Sequence, residues 1–498
     1  MLPFAPKLDI DYSSSKIPLD ITDLLHGGMT GCPCFLLFLL APALMITVVT
    51  IKMLLPLLHD PDGPYHLYMD SQTTTPYLLL ERPNKAALVD EFLHRSLNTL
   101  RTPAMIIDRN IFAENCARMH QRAEAWGARF RAHLKTHKTV EGTRLQLRSS
   151  VSQTDAVVVS TVMEAWEVVR AGLASDSTVK DILYGLPIAI NKVADLSALW
   201  DEISKHSGTV RLLVDHPDQV RFLEKFESTR ERPRRWSVFV KIDGGQRRAG
   251  VSTAAPLFKE LLRSLFASPA ISVYGFYGHA GNSYVSKSLS EASSFLSSEV
   301  NAVNLAAKEG LAVLATSPNK EVHQQPFVLS IGSTPTAHAA SAETRALLSK
   351  TLHGELELHA GNYPMLDLQQ QSTGMIEGGQ IAQRILATVV SYYPGRGTQG
   401  RDEALIDAGA IAFSKDTGPS GVYGEVIGKN WQLGRISQEH GILTSSTGAE
   451  KLEIGSLVEI VGQHACLIAA AYPWYYIVDK DIDGGGSVVD VWVPWKGW

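Results

Sequence analysis

The sequence predicts an α/β protein, a closed (β/α)8 TIM-like barrel followed by a C-terminal all-β domain. Three observations carry that expectation. From about residue 129 to residue 361, eight short apolar, β-branched runs alternate with helical segments, mostly in steps of about 25–30 residues, the pattern of right-handed β-α-β crossovers. Beyond about residue 375 the helical spacers vanish, while β-rich runs continue between Gly, Asp and Pro. A length of 498 residues accommodates two or three domains with substantial cores.

Taken in chain order, residues 1–77 form an N-terminal extension. Leu24 to Ile51 contains no Asp, Glu, Lys or Arg, and the hydrophobic segment 34–58 is long enough to span a bilayer. It lies too far from the start, behind too little positive charge, for a standard signal peptide. A membrane tether, a buried helix, and translation from a misassigned start or an unspliced segment all remain open. Because the catalytic body reads as complete without it, a dispensable or misassigned extension is the preferred expectation. Cys32 and Cys34 at its edge lack the second pair that a metal site of that kind needs.

Residues 60–80 read as a Pro-, Asp- and Thr-rich linker, and Asn84 to Leu100 as one amphipathic helix. With a leading strand, these open the barrel domain assigned to 78–374. The eight runs are 129–135, 155–160, 181–185, 210–215, 237–243, 271–277, 327–333 and 355–361. Amphipathic spacers such as Thr161–Ala171, Asp218–Glu227 and Pro256–Ser264 separate them. Residues 375–498 then form a small barrel or sandwich.

Composition excludes several classes. With 46 Lys and Arg against 51 Asp and Glu, the chain has no basic field for nucleic acid. Four cysteines in 498 residues rule out a disulfide scaffold and fit a reducing, cytoplasmic setting.

Reactive residues of such barrels sit at the C-terminal ends of strands. The first run ends in HLKTHKT, placing His133, Lys135, His137 and Lys138 where a catalytic loop would begin. A lysine there, walled by apolar neighbours, can become a nucleophile or Schiff-base former, although such a basic stretch is more often a solvated loop. The seventh run ends in IGSTPT, where Gly332, Ser333 and Thr334 could cradle a phosphate after barrel strand seven. That lysine and that loop together suit pyridoxal phosphate, held at both ends. Tyr277 and Tyr284 bracket a Gly-rich loop with His279 and Asn282, where they are either cofactor contacts or half-buried rim residues. Arg247 and Arg248 at the end of run five could meet a ring nitrogen or a substrate carboxylate, or lie on the surface. In GQHAC, His464 and Cys466 at i, i+2 would point the same way from a strand. Imidazole and thiolate favour zinc in an open, catalytic coordination sphere, although a lone cysteine is usually a small buried hydrophobe.

Long blocks of the chain resemble the eukaryotic D-serine dehydratases. The blocks are TPAMIID (102–108), RAHLKTHKTVEG (131–142), DILYGLPI (181–188), YGHAGNSY (277–284), IGSTPT (331–336), LHAGNYPMLDLQQ (358–370), DAGAIAFSKDTGP (407–419), SQEHG (437–441) and QHACLIAAAYPWYYIVD (463–479). That family belongs to the fold-type III pyridoxal phosphate enzymes, with alanine racemase and D-threonine aldolase. The resemblance runs from about residue 85 to the C-terminus. It implies that Lys135 binds the cofactor aldehyde covalently, that Tyr277 and Tyr284 contact the cofactor, that Gly332, Ser333 and Thr334 hold its phosphate, and that His464 and Cys466 bind zinc. It further implies β-elimination of D-serine to pyruvate and ammonia, with D-threonine as a second substrate, in a homodimer. The related aldolases carry an acidic residue at the position of Cys466. Gly462-Gln463 departs from the Pro-Asn expected before the histidine, and Gly244-Gly245-Gln246 from the usual loop before Arg248. Alternatives are a D-threonine or 3-hydroxy-D-aspartate aldolase, a non-catalytic pyridoxal phosphate binder, and a membrane-tethered structural protein.

Overall fold

A short strand, β1 (Ala104–Asp108), precedes eight parallel strands that close on themselves: β2 (Arg129–His133), β3 (Ala156–Val159), β4 (Asp181–Pro187), β5 (Thr209–Val214), β6 (Trp236–Lys241), β7 (Ile271–Tyr277), β8 (Phe327–Ile331) and β9 (Gly354–Ala360). All eight expected runs are strands of this barrel. Closure comes from β2 against β9, with Arg129 opposite Glu357 and Ala132 opposite Ala360. The protein is described here from a computed structural model of residues 81–348 and 351–498. The hydrophobic segment 34–58, Cys32, Cys34 and the whole 60–80 linker lie outside the described residues. Among the described residues no helix is long and apolar enough to cross a membrane.

The barrel strands are apolar on both faces because helices cover the outside and side chains fill the inside. Inside, Val158, Leu183, Leu213, Phe239 and Val328 are inaccessible to solvent, and each contributes roughly 1.5–3 kcal/mol by burial. Helices start where a loop supplies a side-chain acceptor for their free N–H groups. Thr139 caps Val140–Leu147, Thr161 caps Val162–Arg170, Ser288 caps Leu289–Leu314 and Ser333 caps Thr334–His338.

Eight further strands follow: β10 (Gln383–Tyr393), β11 (Glu403–Ile406), β12 (Gly424–Val426), β13 (Trp431–Ile436), β14 (Gly441–Ser445), β15 (Leu457–Gly462), β16 (Tyr475–Val478) and β17 (Asp490–Trp492). With β1 they make a nine-stranded sheet, ordered β11-β14-β13-β12-β15-β10-β1-β16-β17, and an extra β10–β11 pairing closes its first six strands into a small barrel.

Three local expectations differ from this structure. The leading strand was grouped with the barrel, but β1 lies between β10, antiparallel, and β16, parallel. Its five buried residues pair with strands about 280 and 370 positions away, a choice invisible to local pattern. The helix expected over Asn84–Leu100 covers Lys85–Phe92 only. His94 takes φ +64 and donates its N–H to Val488 O, and a 3-10 turn follows at Leu97–Thr99. His464 and Cys466 do not lie on a strand, since β15 stops at Gly462. His464 is the N-cap of the helix Ala465–Ala471 and Cys466 sits in its first turn.

Candidate active site

The C-terminal ends of β2, β7, β8 and β9 gather the chemistry. Lys135 leaves β2 half-buried. Among the described residues its ammonium makes neither a salt bridge nor a hydrogen bond, yet its charge bears on His133, His279 and Cys466. Lys138, the other lysine of the motif, is committed elsewhere: its Nζ lies 3.0 Å from Oε1 of the fully buried Glu164. His137 is not part of a catalytic loop, because its ring is buried between Thr139 and Gln146, with Nε2 2.8 Å from Gln146 Oε1.

Three imidazoles stand at this end of the barrel, His359 buried and His133 and His279 half-buried. Burial pushes His133, His279 and His359 well below the usual histidine range. Positive neighbours push the same way, chiefly Lys135 for His133 and Lys241 for His279. All three are neutral near pH 7. Tyr277 stacks on His359 with centroids 4.1 Å apart and planes within 9°. Lys241, 5% exposed, holds Nζ 4.9 Å over the Tyr277 ring. Burial, then the charge of Arg248, brings its ammonium down to about 8. Arg248 itself is exposed, and Arg247 is an exposed turn residue at φ +55.

After β8 the chain passes Gly332 at φ +141, where a Cβ would fall 2.2 Å from His359 O, so only glycine fits. Ser333 Oγ lies 2.7 Å from Ser283 Oγ and caps the short helix, and Thr334 Oγ1 accepts from Asn362 N at 3.1 Å. Tyr284 lies beside Thr334, with its phenol raised by burial and by the Cys466 and Asp367 charges. Glu299, from the helix Leu289–Leu314, accepts from Ala280 N–H, and burial lifts its carboxyl to about 7.

The turn carrying His464 and Cys466 reaches this end of the barrel from the β-domain. Thr136 Oγ1 lies 3.1 Å from Cys466 Sγ and donates 3.0 Å to Gly361 O. Asp367, fully buried, accepts from Asn362 Nδ2 at 2.6 Å and from Ala465 N, between the two expected ligands, at 2.8 Å. Burial opposes the Cys466 thiolate, but the His464 hydrogen bond and the Lys135 charge outweigh it, so the thiol falls below its usual range. Gln463, at the position of the departure from the family pattern, donates to Val422 O at 3.0 Å and ties this turn to a neighbouring loop.

Two donor sets therefore lie side by side. An unpartnered lysine, a glycine-permitted loop bearing hydroxyls, and buried polar atoms without partners, His359 Nε2 and Asn362 Oδ1, fit an aldehyde-bearing phosphorylated ring. An imidazole beside an acidified thiol fits a soft divalent ion. Among the described residues no three His, Cys, Asp or Glu converge as a full metal shell, so such an ion would keep open positions.

Comparisons with known proteins give the family. The alanine racemase N-terminal domain model matches residues 107–346 and the serine dehydratase domain model residues 382–478. The D-serine dehydratase of Schizosaccharomyces pombe is 43% identical over 422 residues, covering 83% of this chain and 96% of its own. The D-serine dehydratase of Saccharomyces cerevisiae is 33% identical, covering 81% and 97%. The chain belongs to the D-serine dehydratase family. Its fold is that of the fold-type III pyridoxal phosphate enzymes. The solved D-threo-3-hydroxyaspartate dehydratase from Delftia sp. HT23 superposes with a TM-score of 0.66 at 28% identity, covering 81% of this chain and all of its own.

Sequence reasoning passed over Lys241, Glu299, His359, Asn362, Asp367 and Asp416. His359, Asn362 and Asp367 lie in the block LHAGNYPMLDLQQ and Asp416 in DAGAIAFSKDTGP, so the signal was present but carried no assigned chemistry.

Proposed function

We propose that this enzyme is a pyridoxal phosphate- and zinc-dependent D-serine dehydratase that converts D-serine to pyruvate and ammonia. The observation that carries the reading is the meeting, at one end of the barrel, of the partner-free Lys135, the Gly332–Thr334 loop and the His464–Cys466 turn. In this reading Lys135 binds the cofactor aldehyde, Ser333 and Thr334 hold its phosphate, Tyr277 and Tyr284 line it, and His464 and Cys466 bind zinc. When bound, pyridoxal phosphate supplies an electron sink at Cα and zinc a Lewis acid for the departing hydroxyl.

The chain's own groups do the rest. Lys135 Nζ, with no counter-ion to displace, removes the Cα proton. The neutral imidazoles of His133, His279 and His359 keep extra positive charge away from that amine. Thr136 holds Cys466 next to Lys135, so the proton is taken close to where hydroxide departs. Loss of the β-hydroxyl as water leaves aminoacrylate, and its hydrolysis releases pyruvate and ammonia.

The metal assignment has two supports besides the donor pair. One structural relative is a cysteine mutant of D-threo-3-hydroxyaspartate dehydratase in the metal-free form, and another is a histidine mutant of that protein. Product analysis with D-serine, with and without added zinc, tests the function. Pyruvate and ammonia support it. Glycine plus an aldehyde from a β-hydroxy-D-amino acid would make the protein an aldolase, and cofactor absorbance without turnover of any D-amino acid would make it a binder. Cys466→Ala is expected to lose zinc and most activity while keeping the cofactor; full activity after thorough chelation overturns the zinc assignment. The working unit is proposed to be a homodimer, to be measured by sedimentation.

A further inference from the structure

The imidazole of His464 is held by a residue that the metal reading leaves out. Asp416 Oδ2 lies 2.8 Å from His464 Nδ1. A carboxylate accepts, so at that distance Nδ1 carries the hydrogen, and Nε2 is the ring nitrogen from which a metal would displace a proton. The separation suits an N–H···O hydrogen bond.

The segment bearing Asp416 is built to hold it there. The one-turn helix Ala410–Phe413 packs on the helix Ala465–Ala471, and Phe413 is fully buried. Ser414 ends that turn at φ +66 and ψ −175, backbone geometry normally reserved for glycine. Its Oγ accepts from Asp416 N at 3.3 Å. Farther along, Gly418 lies against the Gln463 side chain, next to His464 in sequence. A strained residue, a buried anchor and a side-chain lock thus converge on one carboxylate that touches one ring nitrogen.

We propose that Asp416 is the positioning residue of the metal site: by accepting from Nδ1–H it fixes the tautomer and plane of His464 and so presents Nε2 to a divalent cation. The proposal rests on His464 and Cys466 being the metal ligands. Carboxylate partners of ligating histidines typically strengthen metal binding by about 10–100-fold.

The test is zinc affinity of the purified cofactor-loaded enzyme, measured by competition with a chromophoric chelator, for the wild type, Asp416→Asn, Asp416→Ala and His464→Ala. With 42% of its side chain exposed, Asp416 can be replaced without opening the core, and unchanged cofactor absorbance verifies the fold. Expected is a graded loss: about 10–100-fold for Asp416→Ala, less for Asp416→Asn, whose amide oxygen can still accept, and essentially all specific zinc for His464→Ala. Wild-type affinity in Asp416→Ala, with zinc lost in His464→Ala, overturns the proposal alone. Wild-type affinity in His464→Ala overturns the metal reading beneath it. If Asp416→Ala also loses the cofactor, Asp416→Asn decides: weakened zinc with cofactor retained supports the role, and unchanged zinc refutes it.

Discussion

The two ends of the barrel treat polar groups in opposite ways. In its N-terminal half Arg131, with no exposed surface, gives Nε to Glu357 Oε1 at 2.9 Å and its two terminal nitrogens to Asp181 at 2.8 and 3.0 Å. Arg211 adds a second contact to Asp181 at 2.8 Å and stacks 3.4 Å over Tyr274. Burial would raise the Asp181 carboxyl, but the two guanidiniums hold it below the usual range. Two cations and two carboxylates cancel. The C-terminal end instead leaves the Lys135 ammonium unpaired, three imidazoles neutral, and His359 Nε2 and Asn362 Oδ1 buried without partners. A cavity of about 560 Å³ opens at the paired end, rimmed by Arg129, Asp155 and Lys180. Its floor is already satisfied. Satisfied charges make a plug, and unsatisfied ones make a binding site.

Mutations at the two ends should separate activity from stability. The largest effect is expected from Lys135→Ala. It should lower turnover by about 10²–10⁴-fold and abolish the visible absorbance of bound cofactor. Unfolding should barely change, since the ammonium has no partner to lose. Lys138→Ala is the control: it should keep the absorbance and lose stability, because Glu164 would remain buried without its cation. The opposite result would move the cofactor lysine to position 138.

Next comes Arg131→Met at the paired end. Stranding Asp181 and Glu357 should cost about 3–5 kcal/mol in urea unfolding, while cofactor binding by the folded fraction persists. Normal stability would show that the plug is not what holds that end.

The smallest effect sharpens the contrast at the C-terminal end. Glu299 titrates at about 7 in the fold, against about 4.3 for a free glutamate. Folding favours its protonated form, so its contribution is full at low pH and is lost as pH rises through 7. Relative to Glu299→Gln, the wild type should lose about 3 kcal/mol between pH 4.5 and pH 8. Equal urea midpoints across that range would show that folding does not raise the Glu299 carboxyl and would weaken the contrast.

Much of this was legible in the residues. Runs such as AVVV at β3 must be strands, because four consecutive apolar β-branched or small residues suit a sheet covered on both faces. Thr139, Thr161 and Ser288 start helices by a purely local bond to a backbone N–H three residues on, a signal of the kind a sequence carries. Lys135, the Gly332–Thr334 loop and the His464–Cys466 pair were identifiable because each is a short, chemically unusual string. What stayed hidden is long-range. Nothing within β1 says that it pairs with β10 and β16 rather than joining the barrel. Nothing in H-A-C says that the strand has already ended. That Asp416, 48 positions away, meets His464 depends on a strained turn and on two short helices packing together. Periodicity, caps and composition are set by neighbours a few residues apart, and sequence by itself determined them. Which lysine lacks a partner, which imidazole is neutral and which carboxylate faces the metal turn depend on desolvation and on contacts between distant segments. Those only the tertiary structure decided.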